Sequence, residues 1–270
     1  MEVFWIIAGV LLVLAGLYLF LIAPSLKKNL QVRELGVCSF AHRGLHDRDQ
    51  KIPENSLAAY RRAIVHGFGI EFDVHLTADG GLAVIHDDTV NRMTGAEGRV
   101  SQMTWEELAP LRLEGTEEKI PSLQEVLELV RGRVPLLVEL KADGNNAAQL
   151  CPAAFRLLDA YQGPYVVESF DPRVLIWMRK NRPAVGRGQL ATHEGPTPLL
   201  KWILQNLLCN VAARPHFIAY DSVYSGKTLS LILCRKLFGC PVYEWTIRDP
   251  KRYESNLRRG ISNIFERFIP

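Results

Sequence analysis

Residues 38–87, CSFAHRGLHDRDQKIPENSLAAYRRAIVHGFGIEFDVHLTADGGLAVIHD, set the pattern for the whole chain. Two short apolar runs end in histidine, His42 after residues 38–41 and His86 after 82–85, and a third run, 70–74, carries Glu71 and Asp73. Between the first run and the third, Leu57, Tyr60 and Ile64 recur at helical spacing behind Ser56, a residue type that caps helix N-termini. Gly67-Phe68-Gly69 ends that helix, and Asp79-Gly80-Gly81 turns the chain back as a hairpin. The segment therefore reads strand, helix, strand, hairpin, with its polar residues gathered at strand ends, where sites are usually built.

Glu71 and Asp73 are two positions apart, so on a strand both carboxylates project from one face. Like charges that close raise each other's pKa unless a cation compensates, and hard oxygen donors suit one divalent cation, Mg²⁺ or Ca²⁺. His42 and His86 give and take protons near neutral pH, and Arg43 offers a forked donor set that matches phosphate oxygens. Each feature alone is weak, since a histidine closing a strand is commonly a cap and an acid pair on a strand is commonly a solvated face.

The remaining chain alternates. Residues 134–140, VPLLVEL, form the continuous apolar run expected of a strand buried on both faces, ending at Glu139 and Lys141. Further strands are expected at 165–169, 185–190, 217–220, 242–246 and 261–265, with helices at 147–160, 173–180, 198–211, 225–238 and 250–259. Together with 38–41, 70–74 and 134–140 this makes eight strands, with 82–85 as an extension. Alternation over eight units implies an α/β fold, a closed (β/α)₈ TIM barrel, and 270 residues suit one such barrel. Residues 88–118 read as a short polar insertion with a helix opening after Thr104, and Ser122 with Glu125 has capping-box spacing.

Residues 3–22, VFWIIAGVLLVLAGLYLFLI, hold no charge over a length that crosses a bilayer core as a helix. A cleaved signal peptide fits less well, because no basic stretch precedes the run. The expected organisation is an N-terminal transmembrane anchor (1–25), a linker (26–36) and the barrel (37–270). Lys27, Lys28 and Arg33 follow the helix and none precedes it, which predicts a single-pass membrane protein with its barrel in the cytoplasm. Five scattered cysteines without a Cys-x-x-Cys pair argue against a disulfide framework or a zinc site and agree with a reducing compartment. A net charge of +3, with no basic run interleaved with aromatics, argues against a nucleic-acid partner.

The ordered elements His42-Arg43-Gly44, Pro53-Glu54-Asn55-Ser56, Glu71-Phe72-Asp73-Val74, Thr77 with Asp79-Gly80, and His86-Asp87 resemble the signature of the glycerophosphodiester phosphodiesterase family. The resemblance continues through Thr94-Gly95, Ile120-Pro121-Ser122-Leu123, Glu139-Leu140-Lys141, Glu168-Ser169-Phe170 and Trp245-Thr246, from about residue 37 to the end. It implies the same barrel and the hydrolysis of glycerophosphodiesters to an alcohol and glycerol 3-phosphate. It also implies that Glu71, Asp73 and Glu139 bind the metal, that His42 and His86 are the acid–base pair, and that Arg43 and Lys141 hold the phosphate. Glu54 matches an acid that lies near the metal or supports a catalytic group. Trp245 matches a substrate contact, and Ser169 either touches substrate or is a structural hydroxyl. His46, His66, His75, His193 and His216 match no role, and surface or capping positions are expected for them, with His46 the nearest to the signature.

The chain departs from the family pattern where Ile247 and Arg248 follow Trp245-Thr246, and where Ser262-Asn263 and Glu266-Arg267 replace an Asp-Gly and a Thr-Asp. Those changes bear on which substrate is taken. Alternatives are a lysophospholipase D-like activity on membrane lysophospholipids and a catalytically silent, membrane-tethered binding module. The lipid reading draws on Leu199, Leu200, Trp202, Ile203, Leu204, Leu207 and Leu208, an apolar surface wider than a barrel helix needs to bury.

Overall fold

The computed structural model describes residues 1–193 and 197–270. Its nine strands are β1 (Ser39–Ala41), β2 (Gly69–Leu76), β3 (Leu82–Val84), β4 (Leu136–Leu140), β5 (Tyr165–Ser169), β6 (Arg187–Ala191), β7 (Phe217–Asp221), β8 (Val242–Ile247) and β9 (Ser262–Phe265). Their order is β1-β9-β8-β7-β6-β5-β4-β2-β3, and β1 also pairs with β2. Eight parallel strands therefore close into a barrel, with β3 laid antiparallel on β2 as the expected hairpin extension.

The apolar runs explain the closure. Every residue of β4 and β5 is buried, as strands covered by helices outside and side chains inside must be. Deep in the lumen Phe40, Leu137, Val166, Phe217 and Tyr243 pack together, with the Phe217 and Tyr243 rings stacked 4.4 Å apart. Gly188 makes room for them, because a Cβ there would lie 2.1 Å from the Phe217 ring. Higher up, register aligns Asp73 with Glu139 and Glu139 with Glu168, so polar side chains replace apolar ones toward the C-terminal rim.

Local signals are met at the expected caps. Ser56 accepts from Ala59 N, and Thr104 and Ser122 each form a complete capping box. Two expectations are corrected. The helix expected over 198–211 is two helices, Pro198–Gln205 and Asn210–Ala213, broken where buried Leu207 takes a φ of 59°. The break turns Asn210 inward, where its side-chain amide donates to the carbonyl of Ile22 at 2.7 Å. The expected linker also folds. Asn29 caps a short helix, Leu30–Leu35, whose Val32 is buried against the base of the barrel, while Gln31 accepts from Gly186 N.

Candidate active site

Each strand end delivers its residue to one mouth. β2 presents Glu71, Asp73 and His75 at alternate positions, all buried, and β4 adds Glu139 beside Asp73. Carboxylate oxygens of Glu71, Asp73 and Glu139 lie within 4.8 Å of one another. Burial, and then the neighbouring charges of Asp73, Glu168 and Glu139, pushes Glu71 well above the usual carboxylate range. Burial likewise brings Glu139 up to about 7. Asp73 goes the other way: burial opposes ionisation, but Lys141, His86 and Arg43 together hold its carboxyl well down. Three oxygen donors that repel one another in a buried space fit a hard divalent cation.

Cations surround the acids. Lys141 Nζ stands 3.1 Å from Glu139 and 3.2 Å from Asp73, and these two partners keep it charged against the effect of burial. Arg43 takes a φ of 54°, a conformation few residues with a side chain adopt, and this turns its N–H onto Glu71 Oε2 at 2.8 Å. Gly44 follows at a φ of 80°, where a Cβ would lie 2.8 Å from both Ala59 and Tyr60, so the turn admits only glycine. Arg43 Nη1 donates to Glu54 at 2.8 Å. Glu54 is held below the usual range, despite burial, by hydrogen bonds from Arg92 and the charge of Arg43. Asn55 donates to Asp73 at 2.8 Å and accepts from the buried hydroxyl of Tyr60.

Both histidines of the signature have carboxylate tethers. His42 Nδ1 lies 2.6 Å from Glu266 Oε2, and His86 Nδ1 lies 2.7 Å from Asp87 Oδ1. An ionised carboxylate only accepts, so each ring carries its proton on Nδ1 and keeps Nε2 free. His42 Nε2 points toward Glu71, 4.0 Å away. Burial lowers both histidine pKa values and outweighs the opposing pull of Glu266 on His42 and of Asp73 on His86. Glu266 in turn is held well below its usual range, against burial, by His42, His46 and Arg248.

Other assignments land less centrally. Trp245 packs edge-on to Phe170 at 5.6 Å with its indole N–H buried and unpartnered. Ser169 alternates with Glu168 along β5, and its hydroxyl donates to Leu140 O while accepting from Asp171 N. His75 is corrected: it is buried, and its Nε2 donates to the His86 carbonyl at 3.2 Å, fixing the backbone that carries the catalytic candidate. Sequence reading missed Arg92, and it named Glu168 and Glu266 only as parts of the family pattern, without a role. Glu168 is buried with one oxygen unpartnered, and burial with the charges of Glu139 and Asp73 pushes it well up. A cleft of about 690 Å³ opens beside the cluster, lined by His42 and His46, by six arginines (Arg43, Arg48, Arg62, Arg92, Arg248 and Arg267) and by the acids Asp47, Asp49, Glu54 and Glu266, so that arginines outnumber acids where a phosphate ester could enter.

Comparison with known proteins identifies the family. The chain is 44% identical over 236 residues to a glycerophosphodiester phosphodiesterase of Caldanaerobacter subterraneus, covering 83% of this chain and 91% of that protein. It is 32% identical over 302 residues to human glycerophosphodiester phosphodiesterase 1, covering 98% and 88%. Among solved structures, an Oleispira antarctica phosphodiesterase in complex with the product sn-glycerol-3-phosphate superposes with a TM-score of 0.71 at 23% identity, covering 87% and 94%. The model of the glycerophosphoryl diester phosphodiesterase family matches residues 42–266. The chain belongs to that family and is a phosphodiesterase built on its TIM barrel.

Proposed function

We propose that the protein hydrolyses glycerophosphodiesters to an alcohol and glycerol 3-phosphate, with Glu71, Asp73 and Glu139 holding one Mg²⁺ or Ca²⁺ ion. The observation that carries this reading is the convergence of three buried carboxylates within 4.8 Å, flanked by two cations and two tethered histidines. When bound, the ion neutralises the acids and draws electron density from a phosphoryl oxygen. Arg43 and Lys141 bind the phosphate and stabilise the charge that grows on its oxygens. At Nε2, one histidine takes the proton of the attacking group, water or the glycerol's own hydroxyl, as its oxygen bonds to phosphorus; in the second route water then opens the cyclic phosphate to give glycerol 3-phosphate. The other histidine, which must enter the reaction as the imidazolium with protons on both ring nitrogens, gives its Nε2 proton to the alkoxide oxygen as the old P–O bond breaks. Glu54 supports Arg43 and Arg92 rather than the ion, in keeping with its two arginine partners. Trp245 is assigned to the glycerol portion on the strength of its unpartnered N–H, and Ser169 to tying β5 to β4.

The test is release of glycerol 3-phosphate by the full chain in detergent from glycerophosphodiesters with choline, ethanolamine and glycerol headgroups, with Mg²⁺ or Ca²⁺ supplied. Turnover of at least one diester is expected. Absence of product with either ion would overturn the reading.

We further read Glu2–Ile22 as a retained membrane anchor with the barrel on the cytoplasmic side, supported by the three basic residues that follow it and by five free cysteines. A reporter fused after Pro270 that is active only outside the cytoplasm should stay silent. The lysophospholipase D-like reading is favoured by one observation: Leu199, Leu200 and Trp202 are 67%, 39% and 53% exposed.

A further inference from the structure

The last turns of the N-terminal helix are docked on the barrel, and the direction of docking is informative. Ser25 N bonds to the carbonyl of Pro215, just before β7 and hence at the N-terminal base of the barrel. Ile22 lies beside Cys234, whose thiol donates to its carbonyl at 3.2 Å, and Tyr18 lies beside Ser230. The helix Leu229–Lys236 follows β7, so it starts at the catalytic rim and descends to the base. Tyr18 with Ser230 and Ile22 with Cys234 advance together, so the N-terminal helix descends the same way. Its N-terminal part therefore rises past the catalytic rim, on the side where the site opens.

Length then fixes the height of that rim. The apolar side chains from Val3 to Leu17 are free of the barrel, the large ones 52–74% exposed. Fifteen helical residues rise about 22 Å, whereas a bilayer core is ~30 Å thick. A spanning helix must therefore bring its docked turns, and the rim beside them, to headgroup depth. The rim there is built for it. Leu199, Leu200 and Trp202 stand above the end of β7, because Gln205, farther down the same helix, already accepts from the Tyr220 hydroxyl. Val223 and Leu229, 64% and 61% exposed, flank them after β7, and Lys201 and Lys227 are exposed among them.

We propose that the catalytic mouth faces the bilayer, with the rim between β6 and β8 seated among lipid headgroups, so that substrate enters from the membrane plane. The apolar residues would enter the interface and the two lysines would meet anionic headgroups. The acids on β2 and β4 would lie across the mouth from that contact. This proposal rests on the anchor reading above.

The test uses full-length protein in vesicles of phosphatidylcholine and phosphatidylglycerol, on a Cys38→Ser, Cys209→Ser background. A nitroxide is placed at Val223→Cys or Leu199→Cys on the rim, or at Gln162→Cys in the loop before β5 at the opposite end. Collision with lipid-soluble oxygen should exceed collision with a water-soluble nickel chelate several-fold at the two rim sites, with the order reversed at the base. Rim labels as wet as the base label, in protein that sediments with the vesicles, would overturn the orientation while leaving the anchor standing. Protein that stays in the supernatant would instead remove the anchor, and the proposal with it.

Discussion

Glu266 Oε2 lies 2.6 Å from Nδ1 of His42, across 224 positions of sequence. The contact gives a function to a departure from the family pattern, because the residue that replaces the usual one is itself an acid and reaches a signature histidine. Glu266→Gln keeps an acceptor for the Nδ1 proton but removes the charge that raises the His42 pKa. Turnover should fall roughly 10- to 100-fold, as is typical when a partner that orients a reacting group is lost. The limb of the pH–rate profile that belongs to His42 should also move to lower pH. A variant with unchanged turnover and an unshifted profile would reduce Glu266 to a rim acid.

His42→Ala and His86→Ala should each lower turnover by roughly 10²-fold or more, since a positioned acid or base contributes at least that much. The close carboxylate contacts of the two rings are Glu266 and Asp87, outside the three-acid cluster, so metal content and melting temperature should stay near wild type. Equal loss of metal and activity in either variant would point to a ligand rather than a proton carrier.

How much of this was legible in sequence follows from what each feature depends on. The Glu71 and Asp73 pair was readable because strand alternation is a local property, and the apolar run placed Glu139 at a strand end, but its membership of the same set came only from the family resemblance. The capping box at Ser122 and the helix start at Thr104 were readable because a cap lies within four residues, although the box that Thr104 forms with Glu107 emerged only in the structure. His75 was misplaced because its burial depends on the return of β3 and on the His86 carbonyl, eleven residues away. The break at Leu207 was invisible because the contact that goes with it, Asn210 to the carbonyl of Ile22, spans 188 positions. Leu30–Leu35 looked like a linker because one helical turn and a half has no periodicity to detect.

Removing divalent ions should abolish turnover and lower thermal stability. Without a cation, Glu71 and Glu139 must either stay protonated or repel one another in a buried space, as their raised pKa values express. Protons compete with the ion for those oxygens, so its affinity should weaken as pH falls through about 7, the value for Glu139. Calorimetry with and without a chelator, repeated at two pH values, reads both effects. Full activity in excess chelator would exclude the three-acid metal assignment.

Away from the site, burial and the neighbouring Arg187 push His216 down to about 4, and its Nδ1 accepts from Arg187 N. The unfolded chain gains a proton on this ring as pH drops through the ordinary 6.5, whereas the folded chain does so only near 4. Its contribution to stability is therefore fully present above 6.5 and is lost progressively between 6.5 and 4. His216→Gln should flatten the dependence of denaturant midpoint on pH within that window relative to wild type. An unchanged slope would mean the ring protonates in the folded protein as readily as in the unfolded one.

Substrate choice is where the anchor and the site meet. A mouth turned toward the bilayer favours a diester that keeps an acyl chain, because such a substrate is concentrated in the plane the rim touches, whereas glycerophosphocholine must arrive through water. Trp202→Asp combined with Val223→Asp places two charges where apolar side chains enter the interface, and charge at that depth is unfavourable. Neither residue belongs to the carboxylate cluster or to its histidines, so turnover of glycerophosphocholine in detergent should be unchanged. Turnover of lysophosphatidylcholine embedded in vesicles should fall, by roughly tenfold if the lost interfacial contact amounts to about 1.4 kcal/mol. Equal effects on both substrates would show that the pair acts through the fold of the rim. No effect on either would leave the exposed tryptophan as an incidental surface residue and the enzyme as one that draws its diesters from solution.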